Sequence, residues 1–275
     1  MKHPINRKDS TNFLLMLIAM VLTFSACEPE IPIRDAEYPD QVIYLPAAVN
    51  GRFVINDIAR RIGDPPFPGN PSRYVVDLAN RTFIVPLGVY RAGINNDGGF
   101  TVNIAVNNDT ISDIIAAGDT VITLLPSSQY TLVSSVIMPD GEELAKFDLI
   151  IDLDFLRNNY PDAVYALGVS ISSPDRETNP DLSTAIVVIH TKIIKPTADF
   201  SFSPQGTDPN TIDFLNNSAM ATSYSWDFGD GSEASDDDNP THTYSSSGTY
   251  SVILTAIGIT GDEDKSVFTT DVTIP

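Results

Sequence analysis

Apolar and polar residues alternate along most of this chain with the period of a half-buried β-strand rather than that of a helix. Phe100, Val102, Ile104 and Val106 occupy every second position. Phe147, Leu149, Ile151, Leu153 and Phe155 do the same, with Asp148, Asp152 and Asp154 on the opposite, solvated phase. The pattern predicts strands over Gln41–Leu45, Arg81–Tyr90, Phe100–Val106, Thr131–Met138, Leu144–Asp154, Tyr165–Ser172 and Ala185–Ile194. Turn formers separate them. Ala92–Gly99 joins two strands, and Pro139-Asp140-Gly141-Glu142 predicts a hairpin turn, because proline fixes φ and glycine accepts a positive φ. Asp109–Gly118 reads as a short helix, with Asp109 as its N-terminal cap and Gly118 closing the other end.

The alternation breaks at Ile194-Lys195-Pro196-Thr197, which predicts a hinge or short linker. Beyond it Tyr224, Trp226 and Phe228 alternate into a strand that ends at Gly229-Asp230-Gly231, where glycines permit a tight reversal. A polar loop, Ser232–Asn239, follows. Tyr250, Val252, Leu254 and Ala256 mark another strand, and Ser266–Ile274 reads as the last. Many short strands with one small helix predict an all-β chain of two β-sandwiches in tandem.

Ahead of these regions lies a stretch of different character. The apolar run Phe13–Phe24 is too short to cross a bilayer as a finished helix, and it follows Lys2, Arg7 and Lys8. A basic head, an apolar middle and the small residues Ser25 and Ala26 describe a secretory signal over residues 1–26. The next residue, Cys27, is the only cysteine of the chain. The segment resembles a bacterial lipobox, with Phe24 where leucine is usual. That resemblance implies cleavage before Cys27 and lipidation of its sulfur and new amino group. Several acyl chains on one residue anchor stably where one would not. The plainer readings are an ordinary secretory signal with a leftover thiol, or an uncleaved anchor. Residues 27–35, rich in proline and charge, read as a tether. Glu28 and Glu30 in it also resemble the surface-export signal of Bacteroidetes lipoproteins, which implies the outer membrane as partner and a location facing the cell exterior.

Two further resemblances concern the folded regions. The strings Gln41-Val-Ile-Tyr-Leu-Pro46, Leu125–Leu132, Ile137–Glu142 and Tyr165–Ile171 occur in an order and spacing that resemble the domain following the lipobox in many Bacteroidetes surface lipoproteins. Relatives of that domain occur in polysaccharide-utilisation systems. The likeness, over roughly Ala36–His190, implies an Ig-like β-sandwich with no known catalytic set. It places this domain at 36–194. The strings Trp226-Asp-Phe-Gly-Asp-Gly-Ser232 and Asn239–Leu254, with the opening Ala198–Ser203, resemble the PKD (polycystic kidney disease) domain, here at 195–275. That family implies an extracellular Ig-like sandwich acting as spacer or contact module. In its signature Trp226 fills the core, Gly229 and Gly231 turn the chain, and Tyr250 packs against the opposing sheet.

Composition narrows the partners. With 36 acidic against 16 basic residues the formal net charge is −20, so nucleic acid and anionic headgroups are repelled. One cysteine excludes a disulfide framework, and each domain must be stable through its own apolar core. Candidate chemistry is sparse. Beyond the signal the histidines are His190 and His242, too few for a zinc site without cysteines, and no Gly-x-Ser-x-Gly string marks a hydrolase nucleophile. No cofactor is expected. Asp227, Asp230, Asp236, Asp237 and Asp238 offer oxygen ligands for calcium near one loop, against the plainer reading of a solvated acidic run. Phe67, in a proline-stiffened loop, is a candidate ligand-contacting ring, against the plainer reading that it caps the core. The function expected is that of a non-catalytic, lipid-anchored surface protein that binds or presents complex carbohydrate for a polysaccharide-uptake system. The alternative is a structural spacer or adhesion module with a protein partner.

Overall fold

The computed structural model describes residues 41–58, 72–93 and 95–275. The signal segment, Cys27, the tether and Phe67 lie outside the described residues. Twelve strands build the first region: β1 (Val42–Tyr44), β2 (Arg52–Ile55), β3 (Val75–Asp77), β4 (Thr82–Ala92), β5 (Phe100–Val106), β6 (Ile122–Leu124), β7 (Tyr130–Leu132), β8 (Ser135–Met138), β9 (Leu144–Asp152), β10 (Val164–Ser172), β11 (Glu177–Thr178) and β12 (Thr184–His190). They form two sheets. One runs β11-β1-β4-β9-β7, with β3 also on β4; the other runs β2-β12-β10-β5-β8, with β6 also on β10. Inward positions of both sheets, among them Phe83, Val85, Leu87, Val102, Leu149, Ile151, Leu167 and Val187, interleave as one core. Burying such side chains contributes roughly 1.5–3 kcal/mol each.

Helix α1 (Asp109–Ala116) covers the outer face of the second sheet, where Ile111 joins Ile122, Val164, Ala166, Ile186 and Val188 in a smaller cluster. The expected cap is corrected: Asp109 is already helical, and its own N–H donates to the Asn107 side chain. Gly118 does close the helix, at φ +105°, its N–H donating to Ile115 O. Seating the helix requires Gly168 in the middle of β10. Its carbonyl accepts from Asn107 N–H and its N–H donates to Asn108 Oδ1, so close that a Cβ there would stand 1.7 Å from Asn107 O.

Two strand expectations are corrected. Thr131–Met138 is not one strand: β7 belongs to the first sheet and β8 to the second. Pro139–Glu142 therefore bridges the sheets instead of closing a hairpin, although Gly141 takes the expected positive φ of +81°. Leu144–Asp154 ends as a strand at Asp152, whose side chain accepts from Phe155 N–H and caps helix α2 (Leu153–Asn158). Asp154 leaves the solvated strand face with it and pairs with Arg81 and Arg157.

The second region is a smaller sandwich. Strands β13 (Phe200–Gln205), β14 (Asp208–Asn216) and β16 (Thr241–Thr243) form one sheet; β15 (Ser223–Asp227), β17 (Gly248–Gly258) and β18 (Gly261–Ile274) form the other. Trp226 is fully buried between them, with Phe200 at 5.0 Å and Phe214 at 5.6 Å in tilted or edge contacts that suit aromatic quadrupoles. Gly229 and Gly231 reverse the chain at φ +77° and +81°. Tyr250 stacks on Tyr244, just after β16 of the opposing sheet.

Around the expected hinge or short linker the two regions make extensive contacts. Ile193 and Ile194 are buried in the first core, and Met220 and Ile259 of the second region pack against the same core. Thr260, fully buried, donates to Ile194 O, and Arg157 grips the mostly buried carboxylate of Asp264 through Nε at 2.7 Å and Nη2 at 3.0 Å. Arg81 bridges Asp154 and Glu263, while Lys195 lies 3.7 Å from Asp264. Proline at the joint lowers chain freedom, and the apolar contacts lower it further. The two sandwiches thus form one compact unit.

Candidate functional site

One concavity among the described residues lies at one end of the first sandwich. It measures about 340 Å³ and is lined by Gln41, Asp175, Arg176 and Glu177. Arg91 is buried in the same end of the sandwich, against Phe100. On β4 the inward phase Phe83, Val85, Leu87, Val89 continues into Arg91, which is fully buried. Its guanidinium donates to the carbonyls of Asp97, Gly98, Pro139 and Glu142, tying together the two turns that meet there. This is why Pro139–Glu142 does not fold back as a hairpin: its carbonyls face a buried cation, and Asp140 accepts from Gly98 N–H.

Two guanidiniums lie over the Phe100 ring, Arg91 at 5.4 Å and Arg176 at 4.9 Å from its centroid, both at cation–π distance. Arg176 donates from Nε to Gln41 Oε1 at 3.0 Å and from Nη1 to Asp175 O at 2.8 Å, leaving Nη2 without a partner among the described residues. Gln41 in turn donates to Asn95, through both its backbone and side-chain oxygens. The concavity therefore presents planar groups held by their own partners, with the carboxylates of Asp175 and Glu177 exposed at its rim.

Beside it, on the outward face of the first sheet, Tyr44 and Tyr90 are register partners across β1 and β4. Their half-buried rings stand 5.6 Å apart at 45°. Tyr90 donates to Glu143 at 2.6 Å, which raises the Tyr90 phenol and lowers the Glu143 carboxyl from their ordinary values. Val42 pairs with both Ala92 and Glu177, so the row from Glu177 runs parallel to the tyrosine pair one pleat away, about 6.6 Å along the strand.

The acidic loop of the second sandwich is built differently. Asp230 accepts from Ser232 N–H and O–H at one oxygen and faces His242 Nε2 at 2.8 Å with the other. Burial opposes ionisation of Asp230, yet these partners hold its carboxyl down to about 2. His242 stacks on Phe228 at 4.0 Å, nearly parallel. Asp227 accepts from Gly229 N–H, and the Asp237 backbone carbonyl accepts from Trp226 Nε1. Asp236, Asp237 and Asp238 are exposed. These contacts spread the five aspartates over separate turns, and among the described residues no group of three or more His, Cys, Asp or Glu is placed to hold a metal ion. His190 ends β12, where burial and Lys192 lower its pKa.

Sequence reasoning singled out neither Arg91, Arg176 nor the tyrosine pair. A signal existed for Arg91, since it sits in the inward phase of its strand. None existed for Tyr44 with Tyr90, which only sheet register brings together.

With the geometry in place, relatives can be compared. A PKD domain family model matches residues 186–274, and a second family, described as a "-like, N-terminal domain", matches residues 69–178. The chain thus carries an N-terminal domain of that type followed by a PKD domain, and both are non-catalytic module types. The PKD1 domain of the Vibrio cholerae metalloprotease PrtV is similar at 30% identity, over 29% of this chain and 96% of its own, with a TM-score of 0.26. A Bacteroides ovatus protein described as a candidate carbohydrate binding protein is similar at 11% identity, over 84% of this chain and 70% of its own, TM-score 0.36. A two-domain protein of unknown function from Bacteroides fragilis is similar at 11% identity, over 85% of this chain and 93% of its own, TM-score 0.38. None of the curated proteins matches the chain.

Proposed function

We propose that this is a non-catalytic, lipid-anchored protein of the outer cell surface that binds or presents complex carbohydrate for a polysaccharide-uptake system. Cys27 anchors it in the outer membrane, residues 27–35 tether it, and the two sandwiches stand outside the cell as one body. The observation that carries the binding role is the concavity at Gln41, Asp175, Arg176 and Glu177, whose planar donors and acceptors are the groups that recognise sugar hydroxyls. A high negative charge keeps such a body off nucleic acid and anionic lipid. The contacts at the junction favour a second reading, a spacer or adhesion module that holds a protein partner at fixed distance.

Three experiments test the proposal. Labelled palmitate should mark the wild-type protein and not Cys27→Ala, and external protease should reach it on whole cells. A glycan array probed with the protein should give signal on at least one polysaccharide class. A blank array alongside capture of a surface protein would favour the spacer.

A further inference from the structure

Resting on that carbohydrate reading, we propose that the concavity and the Tyr44–Tyr90 pair are one binding site, and that it takes an uncharged oligosaccharide stretch and rejects acidic ones. Glu177, which lines the concavity, shares a row with Val42 and Ala92 on the outward face of the first sheet, and Tyr44 with Tyr90 form the next row of that face. One pleat separates the rows, so a sugar seated on a tyrosine ring places its neighbour beside Glu177 and the concavity. Tilted, half-buried rings give an apolar patch for a pyranose face, and the phenol of Tyr90 is fixed by Glu143, so little side-chain freedom is lost on binding.

The charge selectivity follows from how Arg176 is used. An arginine that binds an acidic sugar offers two parallel N–H donors to a carboxylate. Here Nε–H is committed to Gln41 and one Nη1–H to the Asp175 carbonyl, and the guanidinium carbon lies 4.9 Å from the Phe100 ring centroid. Nη2 has no partner among the described residues and sits against Gly98, where a Cβ would stand 3.2 Å from it. Asp175 and Glu177 line the same concavity as Arg176, and Glu143 holds the Tyr90 phenol beside it. Carboxylates accept hydrogen bonds from neutral hydroxyls and repel a uronate or sulfate. The site therefore presents acceptors for hydroxyls in excess of donors for anions.

The test is titration of the full chain in detergent against uncharged glucans, mannans and xylans, and against polygalacturonate and alginate. The expected result is binding to an uncharged polymer only. Tyr90→Ala should weaken it about tenfold at an unchanged melting temperature, and Tyr90→Phe should retain it. Glu177→Gln, at an exposed rim position where folding is not at stake, should weaken neutral binding several-fold and relax the rejection of polygalacturonate. Neutral binding untouched by both Tyr90→Ala and Glu177→Gln would overturn the site while leaving the carbohydrate reading intact. Preferred binding to the acidic polymers would overturn the selectivity, and binding to no polymer would overturn the carbohydrate reading and this inference with it.

Discussion

At the scale of single residues, a few positions have no substitute. Gly168 lies so close to Asn107 that any side chain must push helix α1 off its sheet. Gly168→Ala should destabilise the chain by about 3 kcal/mol or more in urea unfolding, and a loss under 1 kcal/mol would contradict the close approach. Arg91 is the reverse case, a buried cation whose charge is met by backbone carbonyl dipoles and the Phe100 ring. Arg91→Met should cost about 3 kcal/mol, because four backbone carbonyls lose their shared donor together. Asp230 gives the acid limb of stability. Its folded pKa, about 2, lies below the ordinary carboxylate value, so its contribution is complete above pH 4 and disappears as pH falls toward 2. Asp230→Asn should flatten the fall of the urea midpoint between pH 5 and pH 2.5; an unchanged slope would show that the His242 and Ser232 contacts do not stabilise the loop.

Among elements, the junction is the decisive structure. Arg157 on α2 and Asp264 on β18 form a two-point ion pair whose acidic partner is 6% exposed, and breaking a buried pair from one side is more damaging than never having it. Arg157→Met should destabilise the chain by about 3 kcal/mol and let the sandwiches move independently. Small-angle scattering should then show a wider distribution of shapes. The Arg81–Glu263 contact is more exposed, so salt should screen it and leave the Arg157–Asp264 pair largely intact. Strand phase in the sequence revealed most of these elements: the aromatic alternation around Trp226 and the inward set on β9 both stand in the folded chain. What it could not reveal was pairing. Thr131–Met138 looks continuous because both halves are apolar, yet the chain crosses between sheets at Val133 and Ser134. Next to the hinge or short linker expected at Ile194–Thr197, Ile193 and Ile194 are buried in a core that no local pattern announces.

For the whole molecule, two sandwiches in contact at their junction make one body with a polar concavity and a tyrosine pair at one end of the first. Its candidate site was the least legible part. Gln41, Tyr44, Tyr90 and Arg176 are separated by up to 135 residues, and each alone is an ordinary strand or loop residue. The aspartate-rich loop, conspicuous in the sequence, serves in the structure to hold turns, with Asp230 on Ser232 and His242 and Asp227 on Gly229. The most direct measurement is affinity electrophoresis of the full chain through gels containing uncharged polysaccharides, with polymer chain length read afterwards. The account predicts retarded migration in at least one gel and polymer of unchanged length. Equal migration in every gel, or shortened polymer, would contradict it.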